Sequence, residues 1–405
     1  MDVEHITWPQ GFLAAGVGAG LKKNGKKDLA LIASLEPAAA AGVFTRNRVQ
    51  AAPVLVTREH VRRGSLRGIV CNSGRANACV GARGLQDARD MAAEAAAVLT
   101  QTLKHEVKAE EIAVASTGVI GVPLPMEDIR EGIRRAGAAL GREGFADAAR
   151  AIMTTDTVPK VAMATVGTHE SGGGRAATVV GMAKGSGMIH PDMATMLAFV
   201  LSDAWVDPDL LPGALARAVD ASFNMITVDG DTSTNDMVLV LANGASGVRV
   251  AKEELPAFEE ALTAVCLQLA RAIARDGEGA SKYLEVLVKG AHSLSDARRA
   301  ARAVAGSALV KTAVAGADPN WGRILAAVGY AGIEFDPGRT SVFLGPVMVS
   351  REGVEVPFIE EEARAAMAGP DVHITVDLGM GGAEARAFGC DLTEGYVRIN
   401  ASYRS

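Results

Sequence analysis

Apolar residues recur at helical spacing in several long stretches of the chain. In the Ala-rich segment from Leu85 to Leu103, residues Met91, Ala95 and Leu99 lie four positions apart, which places them on one helical face. Comparable spacing predicts further helices over Met126 to Leu140, Leu210 to Ala221, Pro256 to Ala274 and Ser295 to Ala305. The pattern therefore indicates packed amphipathic helices at several places along the chain.

Short runs rich in Val, Ile and Leu lie between these helices. They read RGIVC at 67, EIAVAS at 111, ATVVGMA at 177, MLAFVLS at 196, MVLVLA at 237, LEVLVK at 284, SVFLGPVMV at 341, VHITVDL at 372 and YVRIN at 396. Their composition and the turn residues around them predict strands. Because several strands follow one another with only turns between them, we predict an α/β (α+β) fold of layered sheets flanked by helices rather than a simple βαβ series.

Composition and charge narrow the classes of function. The 405 residues exceed what one ordinary core buries, so we expect two domains or two closely packed halves. A net charge of −6, the lack of a basic run and only 4% aromatic residues argue against a nucleic-acid partner. No apolar run has the length of a membrane span, and the opening MDVEHITWPQ is unlike a signal peptide. We therefore expect a cytoplasmic protein with no membrane partner.

Several familiar motifs are tested and set aside. GVGAG at 16 resembles a dinucleotide loop, but we predict no strand before it, and KKNGKK follows where an apolar helix is needed, so a turn is favoured. In VDGDTSTND at 228, an EF-hand register would place Thr234 at the glycine position and Val240 at the bidentate carboxylate position. The four cysteines show no CxxC spacing and are expected to be reduced and mostly buried. We expect neither a metal nor a cofactor.

The stretch from Met182 to Asp203, MAKGSGMIHPDMATMLAFVLSD, carries the strongest indication of chemistry. It joins a glycine-rich loop and a proline turn to an apolar strand, and Thr195 lies where that strand starts. A threonine at a strand start is ordinarily structural, so the local pattern does not by itself assign a role to Thr195.

The segment AKGSGMIHPDMATML resembles the self-processing segment of the ornithine acetyltransferase family, the bifunctional glutamate N-acetyltransferases of arginine biosynthesis. The resemblance spans the chain through AGVFTRNRVQAAP at 41, CNSGRANACVG at 71, ASTGVIGVPLP at 115, IMTTDTVPK at 152, TVDGDTSTND at 227, DGEGASK at 276, GADPNWGRI at 316 and the C-terminal YVRINASYRS. One position departs from it, since Arg75 stands where the family pattern has asparagine. We expect Arg75 to alter a loop contact only.

The resemblance implies a layered fold of the N-terminal-nucleophile type and self-cleavage between Ala194 and Thr195. Residues 1–194 would form an α chain, and residues 195–405 would form a β chain that begins with the nucleophile Thr195. Two chains of each kind would associate as a heterotetramer. Thr117 and Gly118 would form the oxyanion hole. The implied substrate-binding residues are Thr154, Lys184, Thr195, Glu278, Asn400 and Ser405.

The implied reaction moves acetyl from N-acetylornithine to glutamate through an acetyl-Thr195 ester. The chemistry fits the residues, because the α-amine that cleavage releases is a base on the same residue as the hydroxyl. Glycines on both sides of Glu278 and next to Lys184 indicate loops rather than charged helix faces.

The use of acetyl-CoA as an additional acetyl donor stays open. So do two alternatives, a self-processed amidohydrolase or aminopeptidase and a non-catalytic ligand-binding protein.

Overall fold

The computed structural model describes residues 3–22, 25–167, 175–190 and 196–401. The chain forms two compact units. The first comprises Met1–Gly185, Asp192–Phe223 and Thr232–Leu269, and the second comprises Ser186–Pro191, Asn224–Asp231 and Ala270–Ser405. These units do not coincide with residues 1–194 and 195–405, which remain a prediction about processing.

The first unit contains an eight-stranded sheet. Its strands are β1 Phe12–Val17, β2 Leu29–Phe44, β3 Ser65–Arg75, β4 Ile112–Val119, β5 Lys160–Gly167, β6 Ala176–Lys184, β7 Leu197–Ser202 and β9 Met237–Ala242. The order across the sheet is β4-β3-β2-β9-β7-β6-β5, with β1 antiparallel to β2. A separate parallel pair joins β8 Trp205–Val206 to β10 Arg249–Val250. Within the large sheet, the strands downstream of the predicted cut are β7 and β9, and they lie in its middle.

The large sheet is buried on both faces, which explains its almost continuous apolar strands. Along β2, Ala30 and Ile32 contribute to one apolar core, whereas Leu29 and Leu31 contribute to another. The helices that begin in this unit are α1 Ala52–Val61, α2 Gly81–Leu103, α3 Met126–Ala138, α4 Phe145–Ala151, α5 Leu211–Ala221 and α6 Leu255–Arg275. Residues of α4 belong to the first core, and residues of α2 and α3 belong to the second. Layered sheets flanked by helices are confirmed.

The second unit contains a six-stranded sheet in the order β14-β13-β12-β15-β11-β16. The strands are β11 Tyr283–Ala291, β12 Ser341–Leu344, β13 Val347–Arg351, β14 Val354–Glu355, β15 Asp371–Asp377 and β16 Ala383–Cys390. The helices are α7 Leu294–Gly306, α8 Ala308–Ala315, α9 Trp321–Gly329, α10 Glu360–Ala368 and α11 Glu394–Asn400. Helix α7 packs on β11 and β16. Within the described residues, no helix combines the length and the apolar character needed to cross a bilayer.

One predicted strand is wrong, because YVRIN lies in helix α11. The helix has a side-chain cap, since Thr393 Oγ1 accepts a hydrogen bond from Gly395 N at 3.0 Å. The β-branched side chains of this segment are not buried as a strand in a core would require, and Val397 is 66% exposed. Local capping therefore outweighs the strand preference of Val and Ile.

Candidate functional site

A buried carboxylate organises the end of the β5–β6 pair in the first unit. Asp156 Oδ1 accepts hydrogen bonds from Lys160 Nζ and Gly185 N, both at 2.7 Å, and Asp156 Oδ2 accepts one from Thr154 N at 2.9 Å. Lys160 and Lys184 are each 2% exposed at this end of the sheet. The structure thus brings the predicted residues Thr154 and Lys184 to one charged centre. It also adds Asp156, which sequence reasoning missed.

The two lysines at this centre stabilise the ionised form of Asp156. Burial alone would raise the pKa of Asp156, but the ammonium groups of Lys184 and Lys160 and the Gly185 amide outweigh it and hold that pKa well below its usual range. Two buried lysines thus face one carboxylate with a lowered pKa, which leaves an excess of positive charge among the described residues of this centre. Such a centre suits an anionic group of a ligand.

A third lysine, Lys22, also belongs to this electrostatic environment. Its Nζ donates to the carbonyls of Lys27 at 2.7 Å and Ala151 at 3.3 Å. Burial lowers the pKa of Lys22 to about 8, against the opposing pull of Asp28 and Asp156 and with a smaller contribution from Lys184. Lys22 follows the GVGAG segment, which we expected to be a plain turn, and no motif pointed to it.

The turn at GVGAG binds a carboxylate of the same chain. The expectation that no strand precedes GVGAG is wrong, because β1 covers Phe12–Val17. The carboxylate of Asp28, fully buried, accepts hydrogen bonds from the main-chain amides of Ala19, Leu21 and Lys22 at 2.5 to 2.9 Å. An internal carboxylate therefore occupies the place that a phosphate takes in a nucleotide loop.

Thr117 and Gly118 lie together at the end of β4, beside the end of β3. Gly118 has a φ of +128°, and a Cβ there would lie 2.5 Å from the Gly74 carbonyl oxygen, so only glycine fits. Thr117 is 3% exposed, and in the part of the chain that the structure describes its hydroxyl has no hydrogen-bond partner. The pair therefore combines a close main-chain approach with an unused hydroxyl donor.

Buried amides fix these strand ends. Ser116 Oγ donates to Asn72 Oδ1 at 2.6 Å, and Asn235 Nδ2 donates to the carbonyls of Ala76 at 2.6 Å and Ser116 at 2.8 Å. The departure from the family pattern, Arg75, donates through Nη1 to the carbonyl of Pro123. Arg75 thus contacts the loop between β4 and α3.

Glu278 and Asn400 meet in the second unit. Asn400 Nδ2 donates to Glu278 Oε2 at 2.8 Å, and Glu278 N donates to Ser186 O at 2.9 Å. Glu278 lies in the loop between α6 and β11 and is only 7% exposed. A Cβ at Gly187 would lie 2.5 Å from Glu278 Oε1, and one at Gly279 would lie 2.9 Å from the Cα of Tyr396. Gly187 thus makes room for the carboxylate, and Gly279 makes room for α11.

Other polar groups of the second unit hold the chain rather than a ligand. Asp229 accepts hydrogen bonds from Met188 N at 2.6 Å, Ile189 N at 2.8 Å and the Tyr396 hydroxyl at 3.2 Å. Two of these donors are main-chain amides, so the carboxylate holds the chain at Met188 and Ile189. Among the described residues, no cluster of His, Cys, Asp and Glu could hold a metal ion.

Two predicted residues, Thr195 and Ser405, lie outside the described residues. The residue after Thr195 is described, and Met196 N donates to Asp236 Oδ1 at 2.9 Å. The six remaining predicted residues divide between the units. Thr117, Gly118, Thr154 and Lys184 belong to the first, and Glu278 and Asn400 belong to the second.

Comparison with known proteins gives matches along nearly the whole chain. The model of the ArgJ family matches residues 13–405. The arginine biosynthesis bifunctional protein ArgJ of Symbiobacterium thermophilum is 56% identical, with 99% of this chain and 98% of that protein covered. The protein of the same name from Geobacter sulfurreducens is 50% identical, with 98% and 99% covered.

Solved structures also match. A bifunctional ArgJ protein from Bacillus halodurans is 46% identical over 51% of this chain and 98% of that chain, with a TM-score of 0.49. An ornithine acetyltransferase from Mycobacterium tuberculosis, solved with ornithine, is 43% identical over 47% and 96%, with a TM-score of 0.41. On the full-length matches to the family model and to the curated relatives, the chain belongs to the ArgJ family.

Proposed function

We propose that this protein transfers acetyl from N-acetylornithine to glutamate, through an acetyl ester on Thr195. The observation that carries the proposal is the match to the ArgJ family over residues 13–405. A relative that matches nearly the whole chain is named an arginine biosynthesis bifunctional protein, which agrees with the proposal. Whether acetyl-CoA is a second donor is part of the test below.

The first step of the proposal is self-cleavage. Thr195 Oγ attacks the carbonyl carbon of Ala194, the C–N bond to Thr195 breaks, and the acyl group moves to oxygen. Water then hydrolyses this ester, which leaves a carboxylate on Ala194 and a free amine on Thr195. That amine has an ordinary pKa of about 7.7 to 8.0, so an appreciable fraction is neutral and can accept the hydroxyl proton in the next step.

Acetyl transfer then has two half-reactions. Thr195 Oγ attacks the acetyl carbonyl of N-acetylornithine, and the amide bond breaks as the ornithine amine takes up a proton. The amine of glutamate next attacks the acetyl ester, which releases the hydroxyl. Each half passes through an oxyanion, for which the Thr117 hydroxyl and the Gly118 main chain would donate hydrogen bonds. The unused hydroxyl and the close approach at Gly118 support this assignment.

Substrate binding is proposed to use charges of both signs. Lys184 would face the α-carboxylate, supported by its place in a net positive buried centre. Glu278 would face the ornithine ammonium, supported by a buried carboxylate whose Oε2 is already oriented by Asn400. Thr154, Asn400 and Ser405 complete the proposed set.

The sheet topology supports the idea that the cleaved chains stay together. Strands β7 and β9 would belong to the β chain, yet they lie between β2 and β6 of the α chain. Separating the chains would break the pairing of β2 with β9 and of β6 with β7, and would expose fully buried strands. We therefore propose a stable αβ pair, two of which form a heterotetramer.

Assays of the purified protein test the proposal. We expect two polypeptides on a denaturing gel, one beginning with Thr195, and a native mass of two α and two β chains. Ornithine and N-acetylglutamate should form from N-acetylornithine and glutamate with ping-pong kinetics. Assays with acetyl-CoA as sole donor decide whether the enzyme is bifunctional. Release of acetate without transfer would instead indicate the amidohydrolase.

A further inference from the structure

Two buried aspartates bracket the connection between β6 and β7. Asp156 Oδ1 accepts from Gly185 N, the residue after β6, and Asp236 Oδ1 accepts from Met196 N, the residue before β7. The proposed scissile bond lies in this connection. Asp236 is fully buried and precedes β9, the neighbour of β7 in the sheet.

Both main-chain polar groups of Met196 are hydrogen-bonded. Its amide donates to Asp236 Oδ1 at 2.9 Å, and its carbonyl accepts from Met237 N at 3.3 Å. Beyond it, Leu197 pairs with Met237 in the parallel ladder and with Lys184 in the antiparallel one. The main chain immediately after Thr195 is therefore fixed by a side chain and by two neighbouring strands.

The raised pKa of Asp236 is compatible with its hydrogen bond to the Met196 amide. Burial raises its pKa well above the usual range, although the Met196 amide, the charge of Lys184 and the Ser233 hydroxyl act in the opposite direction. Its Oδ2 has no hydrogen-bond partner among the described residues. A neutral carboxyl still accepts a hydrogen bond from a main-chain amide, and an amide side chain of the same shape can do so as well.

We propose that Asp236 is a positioning residue for self-cleavage, and this inference rests on the proposed function. By holding the Met196 amide, Asp236 fixes the main chain on the C-terminal side of the bond between Ala194 and Thr195. Attack of a hydroxyl on the preceding carbonyl requires a defined near-attack geometry, and a displacement of about 1 Å can cost roughly 100-fold in rate. Asp236 thus acts through the chain and not on the reacting atoms.

A second buried aspartate, which lies at the other end of β7, provides a matched control. Asp203 follows β7 and is 2% exposed, and its carboxylate accepts from Thr178 N at 2.7 Å and Gln10 N at 2.9 Å. Asp203 and Asp236 are thus equivalent in burial and in holding main-chain amides, but they lie at opposite ends of β7. Replacing Asp203 by Ala should destabilise the sheet without moving the main chain next to the cut.

The test is a time course of cleavage after cell-free synthesis of the full chain, read on denaturing gels and by intact mass. We expect Asp236→Ala to cleave at least 30-fold more slowly than wild type, about the order expected for a displaced nucleophile. Asp203→Ala and Asp236→Asn should stay within about threefold, since Asn keeps the acceptor for Met196. Asp236→Glu, which moves the acceptor by one methylene, should be slow and serves if the Ala variant does not fold.

Three outcomes would overturn the inference while leaving the proposed function intact. These are an Asp236→Ala chain that cleaves as fast as wild type, Asp203→Ala and Asp236→Ala chains that slow equally, and an Asp236→Asn chain as slow as the Ala variant. A wild-type chain that stays intact yet transfers acetyl would overturn the proposed function, and the inference with it.

Discussion

Replacing Asp156 by Asn removes a carboxylate that is hydrogen-bonded to Lys160 and interacts electrostatically with Lys184. The Asp156 side chain is fully buried, and Lys160 lies 2.7 Å from it with a side chain that is 1% exposed. Asn keeps one oxygen for Lys160 and Gly185, but it turns an amide donor toward the Thr154 amide. The variant therefore removes the buried ion pair between Asp156 and Lys160 and adds a clash between two donors.

The expected cost is large. Breaking a buried ion pair by removing one partner typically costs about 3 to 5 kcal/mol, because the remaining charge stays desolvated. At about 2 °C per kcal/mol for a domain of this size, Tm should fall by about 6 to 10 °C. An exposed pair with the same four-residue spacing, Glu360 and Arg364, is the control. Glu360→Gln should cost no more than about 0.5 kcal/mol.

The pH dependence has a definite sign. Because the folded-state pKa of Asp156 lies below its unfolded value of about 3.9, its contribution is complete above that value. The contribution is lost as pH falls through the folded-state pKa. The Tm difference between wild type and Asp156→Asn should thus stay constant from about pH 5 to 8 and shrink only below about pH 4.

Scanning calorimetry of wild type, Asp156→Asn, Lys160→Met and the double variant tests this reasoning. The double variant should recover at least about 1 kcal/mol of what Asp156→Asn loses, because it no longer buries the Lys160 charge. A Tm loss below about 2 °C for Asp156→Asn would refute the account. Additive losses in the double variant would show that the two residues are not coupled.

Three further predictions concern the rest of the site. Gly118→Ala forces a Cβ against a main-chain carbonyl and should lower kcat for acetyl transfer at least about 100-fold, as expected when an oxyanion donor is displaced. Gly121→Ala, with φ +81° but open space, should stay within about threefold in the same assay. Asn400→Ala removes the hydrogen bond to Glu278 and should raise KM for N-acetylornithine about tenfold at nearly constant kcat. Alkylation of the native protein at pH 8 should modify Cys79 alone, because the other three thiols are buried and have raised pKa values.

Each of these has a contradicting result. Equal activity of the two Ala variants would remove Gly118 from the proposed oxyanion hole. A fall in kcat without a change in KM for Asn400→Ala would assign that residue to chemistry rather than to binding. Labelling of a buried thiol before Cys79, read by peptide mass mapping, would contradict the burial described above.

Much of the fold could be predicted from periodicity. The helix expected over Leu85 to Leu103 is α2, Gly81–Leu103, and the apolar runs at 196 and 237 are the central strands β7 and β9. Strand β2 was missed, because its second half, EPAAAAGVF, has few β-branched residues and depends on neighbouring strands. The run YVRIN has strand composition but forms a helix, since a capping threonine precedes it.

The site could be predicted only in part. Glycines beside Glu278 indicated a loop, and the structure shows the reason for one of them, since a Cβ at Gly279 would lie 2.9 Å from the Cα of Tyr396. Asp156 and Lys22 have no such local signature. Their pKa values depend in part on groups that are distant in sequence, Lys184 for Asp156 and Asp156 for Lys22, and a linear pattern does not contain such interactions.

The most direct test of the central claim is intact-mass analysis after mixing the protein with N-acetylornithine that carries an isotopically labelled acetyl group. We predict a processed chain that begins at Thr195 and gains one labelled acetyl group on that residue. Glutamate should then remove the label as N-acetylglutamate, and Thr195→Ala should remain uncut and unlabelled. An uncut wild-type chain that still passes the label to glutamate, or a label on another residue, would contradict the account.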